Sequence, residues 1–310
     1  MGYLLGIDAG STNYKVIACD AAGRFLASAR RPANTKYHEN GWAETSPELI
    51  WEGVAACIAE VAAQLPGERC DGIAVASSGE DVLLDGVAQS VYPAIRWFDT
   101  RTEAIASAWE PFGRERIYRI TGINPNPVAS ITKMQWIKRY VPEAWARARL
   151  WIPIAGFISL KLTGTARAPW TNACRSMAFD LNRRDWSEEI LAEAGIERSL
   201  LAEPIRPGEQ IGALTAAAAV ATGLKEGTPV FAGGVDYACG TFATGIIRPG
   251  QMLDSTGTSE QLLAILDAPE ISSASMEKNF TSVAYVVNDA YYIMGMIVAS
   301  GGIFEWFKNT

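Results

Sequence analysis

The opening thirty residues constrain the fold most. Tyr3 to Asp8, Tyr14 to Cys19 and Arg24 to Arg30 are apolar or alternating runs, and the gaps between them read Gly-Ser-Thr-Asn and Asp-Ala-Ala-Gly. Both gaps have turn compositions, so three antiparallel strands in succession are predicted. The first turn is unusually rich in small hydroxylated residues. From Pro47 to Ala63 the period changes. Apolar residues fall at Leu49, Ile50, Val54, Cys57, Ile58 and Val61 with helical spacing, Ser46 is placed to cap the helix, and Pro47 takes its first position. A strand at Gly72–Ser77 follows, and its turn carries Gly79-Glu80-Asp81.

Beyond Arg101 the texture is mostly helical: Thr102–Trp109, Ser130–Tyr140, Pro142–Arg149, Trp151–Leu162 ending at Gly164, and Ser187–Ala194 ending at Gly195. An Ala-rich helix is expected over Ala213–Ala221, stopped at Gly223. The run from Gly227 to Gly234 then reads as a short buried strand entering a glycine turn, with Asp236 just past it. Further strands are expected at Gln251–Leu253, Gln261–Ile265, Ser282–Val287 and Ala290–Met294, and a helix begins at Ile303. The coarse picture is α/β with a helical half. The change of texture near Pro249-Gly250 divides it into residues 1–246 and the start of a second domain over 247–310.

Bulk properties narrow the function. With 310 residues, 49% hydrophobic and 20% charged, the chain is long enough for two packed cores. A net charge of −7 with no basic tract disfavours nucleic acid as a partner. The five cysteines show neither metal-ligand nor disulfide spacing, and the N-terminus lacks the pattern of a signal peptide. The longest uncharged stretch, Ala290 to Phe304, is too short to span a membrane and is broken by Ser300-Gly301-Gly302. A reduced, cytoplasmic protein with no membrane partner is the expectation. The single histidine, His38, lies in a polar loop context, which leaves little room for a His-rich zinc site or a Ser-His-Asp triad.

Three segments carry candidate chemistry. In Gly6-Ile-Asp-Ala-Gly-Ser-Thr-Asn-Tyr-Lys15, Gly10 lets the backbone approach a ligand, Ser11 and Thr12 supply hydroxyls, and Lys15 adds positive charge, a set that suits phosphate. Asp8 could hold hydrated magnesium, which takes one or two carboxylates and keeps several waters. The same residues also suit an ordinary hairpin turn. In Gly233-Gly-Val-Asp-Tyr-Ala-Cys-Gly240, the carboxylate of Asp236 meets a helix start, where it could accept a hydroxyl proton or serve as a helix cap. The third is Asp254-Ser-Thr-Gly-Thr-Ser259, a second hydroxyl-rich turn. Neither GxxxxGK[ST] nor a strand followed by GxGxxG is present, so the P-loop and Rossmann routes to a nucleotide lack support.

In order along the chain, these segments resemble the FGGY family of carbohydrate kinases, within the actin, hexokinase and Hsp70 superfamily. The resemblance runs over Gly6-Ile-Asp-x-Gly-Ser-Thr, Gly41-Trp-Ala-Glu-Thr-Ser-Pro-Glu, Trp97-Phe-Asp-Thr-Arg101, Lys133-Met-Gln-Trp136, Thr171-Asn-Ala-Cys-Arg-Ser, Gly233-Gly-x-Asp236 and Thr256-Gly-Thr-Ser259. It implies a two-domain, ribonuclease H-like actin/hexokinase fold, with the second domain incomplete over the present residues. It also implies ATP and Mg²⁺, with a small sugar or polyol as acceptor and a possible homodimer. By the same resemblance Asp236 is the catalytic base and Asp8 the magnesium-holding acid. Gly10, Ser11, Thr12 and Lys15 form a first phosphate turn, Gly257 and Thr258 a second, and Glu80, Asp81, Trp97 and Asp99 are candidate sugar contacts. Trp42 and Trp136 read as packing.

Departures from the family bear on the acceptor. Glycerol kinases carry an Arg-Glu pair where this chain has Gly79-Glu80, and a tyrosine where it has Val128. Xylulose kinases carry Gln-Met-His-Gly where it has Ser77-Ser-Gly-Glu80. Many relatives show Asp-x-x-Asn-Ala against Pro169-Trp-Thr-Asn-Ala173 here. Two rival expectations are an actin- or Hsp70-like ATPase switch and a catalytically silent sugar sensor.

Overall fold

A computed structural model describes residues 2–256, 260–297 and 300–308. Its centre is a six-stranded sheet in the order Gln210–Ala213, Pro229–Val235, Arg69–Ser77, Gly2–Ala9, Asn13–Cys19, Phe25–Pro32. The three N-terminal strands are antiparallel, as the turn compositions predict. Gly2–Ala9, Arg69–Ser77 and Pro229–Val235 are parallel neighbours, with Ala9 opposite Ser77 and Ser77 opposite Val235. Three segments distant in sequence therefore leave the sheet at one edge, the C-terminal ends of parallel strands where ligands commonly sit.

Period-2 burial along Gly2–Ala9 and Asn13–Cys19 turns Tyr3, Leu5, Ile7, Tyr14, Val16 and Ala18 to one face. The helix Pro47–Gln64 covers that face through Ile50, Val54, Cys57, Ile58 and Val61, and the Ser46 hydroxyl accepts from the Leu49 amide at its start. Gly53 is the contact point, since a Cβ there would fall 2.8 Å from Cε2 of the Tyr14 ring. Each fully buried aliphatic side chain on this face contributes about 1.5–3 kcal/mol.

The helical half matches in outline and differs in one instructive place. The predicted helix over Trp151–Leu162 is instead a strand, Leu150–Pro153, pairing antiparallel with Asp81–Leu84, followed by a helix over Ile154–Thr163. Pro153 has no N–H for a helix interior, and Trp151-Ile152 suits a buried strand as well as a helix. The expected helix over Pro142–Arg149 stops at Arg147 for the same reason, because Leu150 already belongs to the strand. The Ala-rich helix covers Ala216–Thr222, with Thr215 as its cap and Ala213 closing the strand before it.

A second, four-stranded antiparallel sheet has the order Met252–Thr256, Glu260–Leu266, Tyr291–Ile297, Thr281–Ala284, and the helix Gly301–Lys308 follows. This sheet is seamed to the helical half at Gly122. The Ser282 amide donates to the Gly122 carbonyl at 2.8 Å, and Gly122 has φ +69° with its missing side chain directed at the Ser282 carbonyl. Tyr118 Oη donates to the Phe280 carbonyl and lies beside the seam. No helix among the described residues is long and apolar enough to cross a membrane.

Candidate active site

Asp236 opens the helix Asp236–Ala243 directly after the strand Pro229–Val235. Its Oδ1 accepts from the Tyr237 amide at 2.7 Å, so the second oxygen is left for a ligand. Burial pushes the carboxyl up to about 6, against the lowering pull of that amide and of Arg175. Two cavities, of about 520 and 930 Å³, have Asp236 in both linings. No other residue is common to the two linings, which places this carboxylate on the wall between two ligand-sized spaces.

The larger cavity also receives Asp8 and Lys15, register partners on adjacent strands. Asp8 Oδ2 lies 3.7 Å from Lys15 Nζ, while Asp8 Oδ1 is buried with no hydrogen-bond partner. Burial raises the Asp8 carboxyl, and its charge in turn raises that of Asp236. An orphaned carboxylate oxygen close to a second carboxylate fits a hydrated magnesium ion, which needs no third acidic ligand. Among the described residues no cluster of three His, Cys, Asp or Glu offers a transition-metal site.

The remaining turn residues are less direct. Ser11 Oγ donates to Glu80 Oε1 at 3.1 Å and accepts from Trp97 Nε1 at 3.0 Å, so its hydroxyl ties the turn to the segments that carry Glu80 and Trp97. Gly10 and Thr12 line neither cavity; the Gly10 amide closes the turn onto the Asn13 carbonyl, and Thr12 is exposed. Gly257 and Thr258 lie outside the described residues.

Of the four expected sugar contacts, only Trp97 reaches the smaller cavity. Glu80 is fully buried and receives Ser11, Ser78, Arg96 and the Trp97 amide. Asp81 is buried, and its carboxyl is pushed up to about 6 by burial; nearby, burial brings the Lys133 ammonium down to about 8 while it donates to the Ile95 and Arg96 carbonyls. Asp99 accepts from the Ala43 amide and pairs with Arg101, which also holds Glu44. The Arg101 guanidinium lies 4.2 and 4.9 Å from the Trp42 and Trp136 ring centroids, a packed cation between two indoles. His38 lies in a loop, as its polar context suggests, and is half-buried there with Nε2 3.2 Å from Glu44 Oε2. Glu80 thus braces the cavity from behind through Ser78 and Trp97, while Asp81 and Asp99 stand outside its lining.

The residues that do line it with Trp97 and Asp236 include Asn124, Asn126, Arg175, Tyr237 and Gln261. None was singled out as a contact from sequence, although Arg175 stands inside the Thr171-Asn-Ala-Cys-Arg-Ser segment. The Tyr237 hydroxyl is 2.8 Å from that of Tyr292 on the second sheet, so the cavity takes residues from both sheets.

Comparison with known proteins finds similar sequences and folds. Residues 3–243 match the FGGY family of carbohydrate kinases, N-terminal domain. The chain is 28% identical to the xylulose kinase of Bacillus subtilis (strain 168), with 100% of this chain and 62% of that protein covered. It is 30% identical to the L-fuculokinase of Escherichia coli (strain K12), with 99% and 65% covered. The crystal structure of xylulose kinase from Rhodospirillum rubrum superposes with a TM-score of 0.92 at 25% identity, covering 98% of this chain and 63% of that one. The chain therefore spans a little under two thirds of the length of these relatives.

Proposed function

We propose, from the premise that this chain belongs to the FGGY family of carbohydrate kinases, that it provides the acceptor site and general base for ATP-dependent phosphorylation of a small sugar or polyol. The observation that carries this reading is the position of Asp236 in the linings of both cavities. An acceptor in the smaller space and a nucleotide phosphate in the larger would meet at this carboxylate.

In the proposed reaction the free oxygen of Asp236 takes the proton of the acceptor hydroxyl as the hydroxyl's own oxygen attacks the γ-phosphorus, and the bond from phosphorus to the β,γ-bridging oxygen breaks with its electron pair leaving on ADP. Asp8 would hold the hydrated Mg²⁺ that offsets phosphate charge, with Lys15 adding positive charge on the same side. Ser11, by fixing Trp97, keeps the acceptor-side wall in register with the phosphate-side turn. Residues 1–246 are read as the acceptor domain and 247–310 as the beginning of the nucleotide domain, a reading supported by the separate four-stranded sheet. Gly257 and Thr258 belong to its second phosphate turn by resemblance. A cytoplasmic setting and a homodimer are part of the same family-based reading.

The test is a coupled ADP-release assay with ATP and Mg²⁺ across ketoses, aldonates and polyols, on this chain and on a form extended to the length of the relatives. Activity with one acceptor that disappears in Asp236→Ala is the expected result. Near-normal activity in that variant would overturn the assignment of the base.

A further inference from the structure

We propose that Arg175 selects the acceptor, and that the acceptor is a hydroxy acid whose carboxylate docks on this guanidinium while a hydroxyl reaches Asp236. The inference rests on reading the 520 Å³ cavity as the acceptor site of the kinase.

Most polar groups lining that cavity are already engaged within the protein. Trp97 Nε1 donates to Ser11, and the Asn124 amide donates to the Met276 carbonyl and Asn279 Oδ1. Asn126 is held by the Asn124 carbonyl and the Val128 amide. Among the described residues, Gln261 and one oxygen of Asp236 are left without a side-chain partner, and so, largely, is the cation of the lining, Arg175. It has one long hydrogen bond, 3.4 Å from Nη1 to the Tyr237 hydroxyl, and its buried Nε has no partner. No carboxylate among the described residues lies within ion-pair distance of it. The other buried arginines of this region are matched: Arg96 faces Glu80, and Arg101 grips Asp99 and Glu44.

Arg175 is half-buried and feels the charges of Asp236 and Asp81 only from beyond ion-pair contact, so a ligand that brings a carboxylate onto the guanidinium recovers part of the cost of its desolvation. The planar fork matches a carboxylate through two parallel hydrogen bonds, whereas a sugar hydroxyl offers a single neutral acceptor. The backbone is shaped for this side chain. A Cβ at Gly79 would come within 2.8 Å of Arg175 Cζ and Nη2, so the absence of a side chain at 79 is what lets the guanidinium lie along the loop. With Asp236 as the acceptor of a proton and Arg175 as the free donor, the cavity calls for a hydroxyl and an anion on one small carbon chain. Aldonates of about four to six carbons meet that demand within a cavity of ordinary ligand size.

Binding calorimetry on the chain, without nucleotide, tests this with matched pairs that differ at one carbon: tetronates, pentonates and hexonates against the alditols of the same configuration. At least one aldonate should bind tenfold or more tighter than its alditol. Arg175→Gln should abolish that preference, and Arg175→Lys, which keeps the charge and loses the fork, should retain part of it. If either variant fails to fold, the comparison of pairs on the unaltered chain still decides. Failure of every aldonate to outbind its alditol overturns the inference, as does a preference that survives Arg175→Gln. An acid that binds through Arg175 but is never phosphorylated counts against the kinase reading alone.

Discussion

Replacing Asp236 with asparagine should stabilise the fold, and the gain should depend on pH. The carboxyl is raised from 3.8 to about 6 in the folded protein, with burial as the main cause. A raised carboxyl pKa means that the fold prefers the protonated form, so ionisation costs stability. Below pH 3.8 both folded and unfolded chains are protonated and the cost vanishes; above about pH 6 both are ionised and it is complete. A displacement of about two pH units at about 1.4 kcal/mol each gives a ceiling of about 3 kcal/mol at pH 8, and about half that at pH 5. Asparagine keeps the side-chain oxygen that accepts from the Tyr237 amide, so Asp236→Asn removes the charge and preserves the contact. Urea unfolding of parent and variant at pH 5, 6, 7 and 8 reads the difference directly. The variant should be more stable throughout, with the margin roughly doubling from pH 5 to pH 8. A margin that is flat with pH, or a parent more stable at pH 8, would refute the claim that this carboxylate is held at an energetic cost.

Turnover by the extended form should fall as pH drops through about 6, because Asp236 accepts the hydroxyl proton only when ionised; a pH–rate profile flat down to pH 5 speaks against its role as base. Arg101→Ala should destabilise the chain by about 3–5 kcal/mol, since it leaves Asp99 and Glu44 without their cation and empties the space between Trp42 and Trp136. Denaturant unfolding measures this, and a loss under about 1 kcal/mol would mean that the two carboxylates find other partners.

The turn after the first strand, the parallel strand ending at Val235 and the carboxylate that follows were legible because each leaves a local mark: glycine, small hydroxyls, an apolar run. Which acidic residues line the cavities was not. Glu80, Asp81 and Asp99 look alike in sequence, and their fate is decided by Arg96, Lys133 and Arg101, which arrive from other segments. Arg175 was overlooked for the converse reason. A single basic residue among small ones carries no pattern, and its meaning comes from Gly79, almost a hundred residues earlier, giving it room. The strand at Leu150–Pro153 went unseen because four apolar residues fit either period, and only the facing Asp81–Leu84 strand settles the choice.

If the smaller cavity takes the acceptor as proposed, the seam at Gly122 and Ser282 would make acceptor choice a joint property of two parts of the chain. Asp236, Arg175 and Trp97 form one side of the smaller cavity, while Gln261, Thr281 and Met294 from the small sheet close the other. A hybrid protein joined near residue 247 would inherit its base from one parent and half of its acceptor wall from the other. Grafting the second sheet of a relative onto this chain would therefore be expected to alter what the enzyme accepts, even with every residue around Asp236 on the first side unchanged.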